Sequence, residues 1–331
     1  MPEFLMTEWL TKPMWMWLVF LAIVVTLMIL DLGILHKKHR EIGVKESLIM
    51  SGFYAALGFS FAFFIWFQSV ELYGDTIAKT KVLEYITGYV VEYTLAMDNI
   101  FVIAMILSYF HIPRKYQHRV LLWGILGVII LRGIMIGAGA TLVHKFEWIM
   151  YVFAAFLVIT GVKMLMMADK ETSIDNNPLL RFMEKRFNVT KDLHGEKFFV
   201  KLPHKKTGKI VTHITPVFMA LVLIEFADVI FAVDSVPAIF AITLDPYIVF
   251  TSNIFAILGL RSLYFALSAM IDRFAYLKYA LSVVLIFIGS KIFITDLMGM
   301  EKFPPMLSLG ITVSILASGI IYSLWKTRKT A

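Results

Sequence analysis

Nine stretches of this 331-residue chain stay apolar for about 20 residues each, the length an α-helix needs to cross roughly 30 Å of hydrocarbon. They fall near 14–35, 48–70, 85–110, 119–142, 147–167, 216–242, 248–270, 276–295 and 305–325. Inside a bilayer every backbone N–H and C=O must be satisfied within the chain, so such runs have to be helical. Composition agrees, since 59% of the residues are hydrophobic against about 45–50% in soluble domains. The expectation is an all-α polytopic membrane protein with about nine transmembrane helices. The first run is too long for a signal-peptide core and carries no small-residue cleavage site, so it is expected to be retained.

Charge orders these spans. Basic residues gather in every second loop, at Lys37, Lys38, Arg40 and Lys45, at Arg114, Lys115 and Arg119, at Arg273 and Lys278, and at Lys326, Arg328 and Lys329. With those of segment 168–215 they number 22, and the intervening loops hold 5. The positive-inside rule then places the N-terminus outside and the C-terminus in the cytoplasm. The net charge of +7 is therefore read as topology, and no motif points to nucleic acid. Absence of cysteine excludes disulfides, thiolate metal sites and thiol nucleophiles.

Segment 168–215 is the one sizeable polar insertion. "NPLLRFMEKRF" has the pattern of a short amphipathic helix, and "EKFFVKLPHKKTGKIVTHI" that of two strands around a Lys-Thr-Gly turn. Its basic face is expected to lie against the membrane surface.

The spans on either side of this insertion repeat. "EYTLAMDNIFVI" and "DVIFAVDSVPAI" align Glu92 with Asp228, Asp98 with Asp234 and Asn99 with Ser235. Downstream, Arg132 matches Arg261, and the Gly-x-Lys of Lys163 matches that of Lys291. Each unit has three spans, an odd number, so the two enter the membrane from opposite sides, a common plan of secondary transporters. The division expected is 1–84 (spans 1 and 2), 85–167 (first repeat), 168–215 (cytoplasmic helix and hairpin), 216–295 (second repeat) and 296–331 (last span and tail).

Six acids (Asp31, Glu92, Asp98, Glu225, Asp228, Asp234) and four bases (Arg132, Lys163, Arg261, Lys291) stand within spans. Each charge at the bilayer centre costs at least about 2.5–3.5 kcal/mol. A purely structural chain has little reason to carry ten. Lys163 and Lys291 lie near span ends, where long side chains can reach the interface; Asp31 is also near an end. Arg132 and Arg261 sit deeper and are expected to pair with carboxylates, structurally or as gating contacts.

Acids six residues apart on a straight helix are separated by about 9 Å and about 120°, so Glu92 and Asp98 cannot share one ion unless the helix distorts. Pro237 is one source of distortion in span 6. Inverted symmetry offers another arrangement, with Glu92 level with Asp234, Asp98 level with Asp228, and Glu225 extending the cytoplasmic layer. The donors in the spans are oxygens, from these carboxylates, Asn99, Asn253, Ser235 and the backbone, which suits Mg, Ca and Mn. Met97 is either a soft ligand or packing.

At these residues the chain resembles the TerC family of integral membrane proteins, in particular its Alx branch. "EYTLAMDNIFVIAMILSYF", "LRGIMI", "GVKM", "IEFADVIFAVDSVPAIFAIT", "SNIFAILGLRSLYF" and "GSKIFI" carry the resemblance. It implies efflux of manganese(II) across the bacterial plasma membrane, with the metal as cargo rather than a resident cofactor. The wider family is also associated with tellurium resistance and with supplying metal to secreted enzymes. The site expected is Glu92, Asp98, Glu225, Asp228 and Asp234 with Asn99 and Ser235, and with Arg132, Arg261, Lys163 and Lys291 as charge partners. Protons, which carboxylates can bind, are a reasonable counter-ion, although no residue specifies one. An accessory protein handing metal to exported enzymes is the alternative. Enzymatic chemistry is not expected, because no nucleophile or peptide-binding motif accompanies the aspartates.

Overall fold

The structure is a computed structural model that describes residues 6–10, 12–33, 43–146, 148–166, 177–203, 210–268, 274, 276–300 and 303–327. A two-residue ladder, β1 (Glu8–Trp9) with β2 (Lys12–Pro13), leads into α1 (Met14–Gly33). Then come α2 (Val44–Tyr73), α3 (Asp75–Tyr109), α4 (Arg114–Lys145) and α5 (Ile149–Met166). The insertion folds as α6 (Pro178–Arg186) and the strands β3 (Phe199–Pro203) and β4 (Ile210–Ile214). The chain finishes with α7 (Pro216–Phe240), α8 (Pro246–Leu258), α9 (Leu260–Leu267), α10 (Leu277–Leu297) and α11 (Pro305–Thr327).

Among the described residues eight segments are long and apolar enough to cross a membrane, with α8 and α9 counted together across Gly259. The apolar part of α1, Met14–Leu30, falls just short of that length. Large apolar side chains point outward from the bundle, with Phe63 76%, Ile159 65% and Ile134 64% exposed. Water would not tolerate such a surface, and lipid would. The protein is an all-helical polytopic membrane protein.

Local chemistry sets the helix ends. Thr215 and Asp245 accept hydrogen bonds from the backbone N–H groups of Phe218 (3.4 Å) and Tyr247 (3.1 Å), and each is followed by proline at the first helical position. Gly74 alone separates α2 from α3, at φ 83°, a conformation that costs a glycine little and other residues more. The corner is so tight that α3 begins at Asp75, ten residues before the apolar run that was read as span 3. Residues 75–84, read as loop, are helix. α7 runs as one helix past Asp228 and Asp234, with Pro237 inside its last turn.

In the insertion, β3 and β4 pair antiparallel from Phe199 opposite Ile214 to Pro203 opposite Ile210. The expected Lys-Thr-Gly turn lies outside the described residues. Leu180, Met183 and Ile214 are buried in one apolar cluster with Ile106, Val120 and Val217, which ties the insertion to the adjoining ends of α3, α4 and α7.

α3 is the hub, packing on α2, α7, α8, α9 and α11, and α4 lies along α7. α5 packs closely on α10 through the glycines of the two Gly-x-Lys motifs. A Cβ on Gly161 would stand 2.7 Å from the carbonyl oxygen of Ser282 and 2.7 Å from the side chain of Ile286; a Cβ on Gly289 would stand 2.6 Å from the carbonyl oxygen of Ala154 and 2.9 Å from Val158. Ser282 and Ile286 precede Gly289 by seven and three residues, and Ala154 and Val158 precede Gly161 by the same intervals. The contact is therefore reciprocal, and small residues allow it.

Candidate functional site

The middle of the bundle is organised by one arginine. Arg132 of α4 is 1% exposed. Its Nη2 and Nε donate to the two carboxylate oxygens of Asp228 on α7, at 3.0 and 3.2 Å, in a bidentate pair. Its Nη1 donates to Oε1 of Glu92 on α3, and lies 3.1 Å from both Ser235 Oγ and Asn253 Oδ1. Nη1 carries two hydrogens and faces three acceptors, so one of them always goes short. Oε2 of Glu92 and Nδ2 of Asn253 are buried with no hydrogen-bond partner among the described residues. Among the described hydrogen bonds, two carboxylates share this one guanidinium.

Glu225, one turn before Asp228 on α7, extends this centre. Its carboxylate lies over Gly127 of α4, where any side chain would collide with it, and its Oε2 is buried without a described hydrogen-bond partner. Asn99 and Arg261, both buried, line with Asp228 a narrow cavity of about 20 Å³. Asp234 points elsewhere, toward Thr160 and Lys163 on α5. Asp31 and Asp98 are helical, but their side chains lie outside the described set. Among the described residues no three His, Asp or Glu side chains gather as a metal cage.

The family model for TerC integral membrane proteins matches residues 77–331. This chain belongs to the TerC family. Its relatives include an uncharacterized membrane protein of Rickettsia bellii, 44% identical over 308 residues that cover 93% of this chain and 96% of the relative. A "putative membrane-bound redox modulator Alx" of Photorhabdus laumondii is 42% identical over 317 residues, 96% of each chain. One of the same name in Escherichia coli O6:H1 is 42% identical over 306 residues, 92% of each chain. No solved structure matches the chain.

Two expectations are corrected in this TerC protein. Glu92 was placed level with Asp234, but one guanidinium joins it to Asp228. The reason is the early start of α3. Glu92 stands 17 residues from both Asp75 and Tyr109, at the middle of its helix. Asp228 stands 12 residues from both Pro216 and Phe240, at the middle of its own. Lys291, read as able to reach the interface, is instead 6% exposed and donates to Ser308 Oγ at 3.4 Å, inside the bundle. Lys163 does stay exposed.

A second charged group was missed. Lys12 and Lys81 each place Nζ 3.1 Å from Oδ2 of Asp245, and Lys81 also lies 3.7 Å from Oε2 of Glu84, which is 2% exposed. The sequence signal was available. Glu84, Gly88 and Glu92 recur at i+4, one continuous helical face that the reading of 71–84 as loop cut in two.

Proposed function

We propose that this protein is a secondary transporter exporting manganese(II) from the cytoplasm through the centre built on Glu92, Asp228 and Arg132. The observation that carries the reading is the uneven sharing there. Two carboxylates at the middles of two membrane-spanning helices share one arginine, and Glu92 Oε2 and the adjoining Glu225 Oε2 are buried acceptors with no described partner. Every donor at the centre is oxygen, a set suited to hard divalent cations; manganese among them is what the family resemblance implies. Arg132 then acts as an internal cation, which the metal must displace to bind Glu92 and Asp228 together. Asp98, Asn99 and Ser235 complete the proposed ligand set, Asp234 beside Lys163 is a separate carboxylate on the proposed route, and Arg261, Lys163 and Lys291 are balancing charges with protons as counter-ion.

An inverted pair of repeats, α3–α5 and α7–α10, supports alternating access. The matched acids Glu92 and Asp228 meet on one side chain, and the matched glycines 161 and 289 make reciprocal contacts. These are contacts that such a pair of repeats would make. The name of the Alx relatives suggests a redox role. A chain without cysteine has no thiol couple with which to perform one, so any redox effect would follow from the manganese it moves.

Purified protein in liposomes should carry Mn²⁺ across the membrane unaided; an accessory protein that only hands metal on would not. Asp98→Asn and Asp234→Asn should each abolish manganese resistance in cells while inserting normally, because neutralising an in-span charge lowers the cost of partition. Well-expressed Asn variants with full export would remove these acids from the site. For the proposed orientation in the bacterial plasma membrane, N-terminus outside, Thr80→Cys should react with an impermeant thiol reagent in intact cells and Thr207→Cys should not. The reverse pattern overturns it.

A further inference from the structure

Three consecutive polar residues of α8, Thr251, Ser252 and Asn253, are fully buried. Hydroxyls inside an apolar helix are readily spent on the carbonyl one turn back, and two of these residues follow that habit. Thr251 Oγ1 donates to the Tyr247 carbonyl and Ser252 Oγ to that of Ile248, both at 2.7 Å. Asn253 does not. Its Oδ1 reaches across to α4 and accepts from Arg132 Nη1 at 3.1 Å. Its Nδ2 is buried with no hydrogen-bond partner among the described residues. Chemistry fixes the orientation of this amide. A guanidinium only donates, so the carbonyl oxygen has to face it and the NH₂ has to turn away.

Nη1 is therefore met by oxygens from three helices: Glu92 Oε1 from α3, Ser235 Oγ from α7 and Asn253 Oδ1 from α8. Glu92 and Asn253 are 0% exposed and Ser235 is 2% exposed. This cage asks for positive charge at its centre, and a nitrogen is not the one group that supplies it. A metal ion would find the same oxygens already turned toward it, with no amide to flip. The two contacts of 3.1 Å would close to the about 2.1–2.6 Å of magnesium and calcium bonds to oxygen. Glu92 Oε2, buried and without a described partner, is a further oxygen on the same carboxylate.

We propose that Asn253 is a ligand of the transported cation, its carbonyl oxygen closing with Glu92 and Ser235 on the position that Arg132 Nη1 holds. The inference rests on the transport reading above and adds to it a ligand from a third helix. Carbonyl oxygen is a donor that hard divalent ions accept. It also brings no charge, and the affinity of an oxygen site rises with its count of charged ligands. Glu92 and Asp228 already match the two charges of the cation. A third carboxylate would hold the ion more tightly and release it more slowly, so an amide at this place favours passage over retention.

Three variants of the full-length protein test this, read in liposomes as flux against Mn²⁺ concentration. Asn253→Leu keeps the volume and removes the oxygen, and should raise half-saturating Mn²⁺ by about tenfold or more. Asn253→Asp should lower it and lower the maximal rate as well. Asn253→Cys places the sole thiol of the chain at this point. Thiolate selects zinc, so Zn²⁺ should inhibit Mn²⁺ flux at least about tenfold more strongly than in wild type. A residue that only positions Arg132 would leave the metal preference unchanged. Unaltered half-saturation in the Leu and Asp variants, with unaltered zinc inhibition in the Cys variant, would overturn the ligand and leave the transporter standing. Where Asn253→Leu fails to fold, unaltered zinc inhibition of Asn253→Cys alone overturns it. Mn²⁺ binding in detergent, followed by loss of the free-ion EPR signal, separates the two readings. Binding that weakens in Asn253→Leu, with no flux in wild-type liposomes, would keep the ligand and overturn the transporter.

Discussion

The two charged groups of this molecule are built from the same residue types and balanced differently. At the centre, one base faces two acids, all three buried at mid-helix, and a carboxylate oxygen of Glu92 is left over. At the end of the bundle, two lysines face Asp245 and Glu84 beside open cavities. Desolvating a charge costs several kcal/mol unless partners replace the water. The end group meets that condition with equal numbers of each sign. At the centre two carboxylates share one guanidinium, and Glu92 Oε2 remains a buried acceptor with no described partner.

The comparison breaks most visibly at Arg132. Arg132→Met would leave Glu92 and Asp228 facing each other in low dielectric without a counter-charge, at a cost of about 3–5 kcal/mol. Thermal unfolding of the detergent-solubilised protein should show a large drop in midpoint and a poor yield. Adding Glu92→Gln and Asp228→Asn should recover most of the stability and none of the manganese export. If Arg132→Met were as stable as wild type, the centre would not depend on that one guanidinium.

How much of this could be read beforehand differs between the same two places. The acids, Arg132 and the spans were visible, because a charge inside an apolar run stands out against its cost. The hairpin was visible too, since Val200 and Leu202, and Ile210 and Ile214, fall among basic and polar neighbours at even, strand-like spacing. What stayed hidden was partnership. Pairing Glu92 with Asp228 depends on where each helix begins, and hydropathy marks where the oil starts rather than where the backbone turns helical. α3 extends from Asp75 through polar residues that lower the apolar signal, and this shifted its midpoint and hid Glu84. The Gly-x-Lys motifs were read for their lysines, while the structure uses their glycines to bring α5 and α10 together.

A smaller effect is expected at the end of the bundle. Lys81→Met removes one of two bases from Asp245 and leaves Lys12 at 3.1 Å. Because Lys81 is partly solvated, with 23% side-chain exposure, the loss should be about 1 kcal/mol in unfolding free energy. A loss as large as that of Arg132→Met would show that the end group is not self-balanced, and that Lys81 alone holds Asp245 and Glu84.

The finest test is the pH dependence of Asp245. Burial pushes its carboxyl up, but Lys81 and then Lys12 outweigh burial and hold it below the ordinary value of 3.8. A carboxyl whose folded value lies below its unfolded one contributes stability that is complete above the unfolded value and is lost as pH falls through the folded value. The difference in melting temperature between wild type and Asp245→Asn should therefore stay constant from neutral pH down to about 4 and shrink only in stronger acid. Asn keeps the cap on α8, so the difference reports the lysine pairs alone. A difference that faded between pH 7 and 5 would mean that burial outweighs both lysines, and the end group would then share the uneven pairing of the centre instead of contrasting with it.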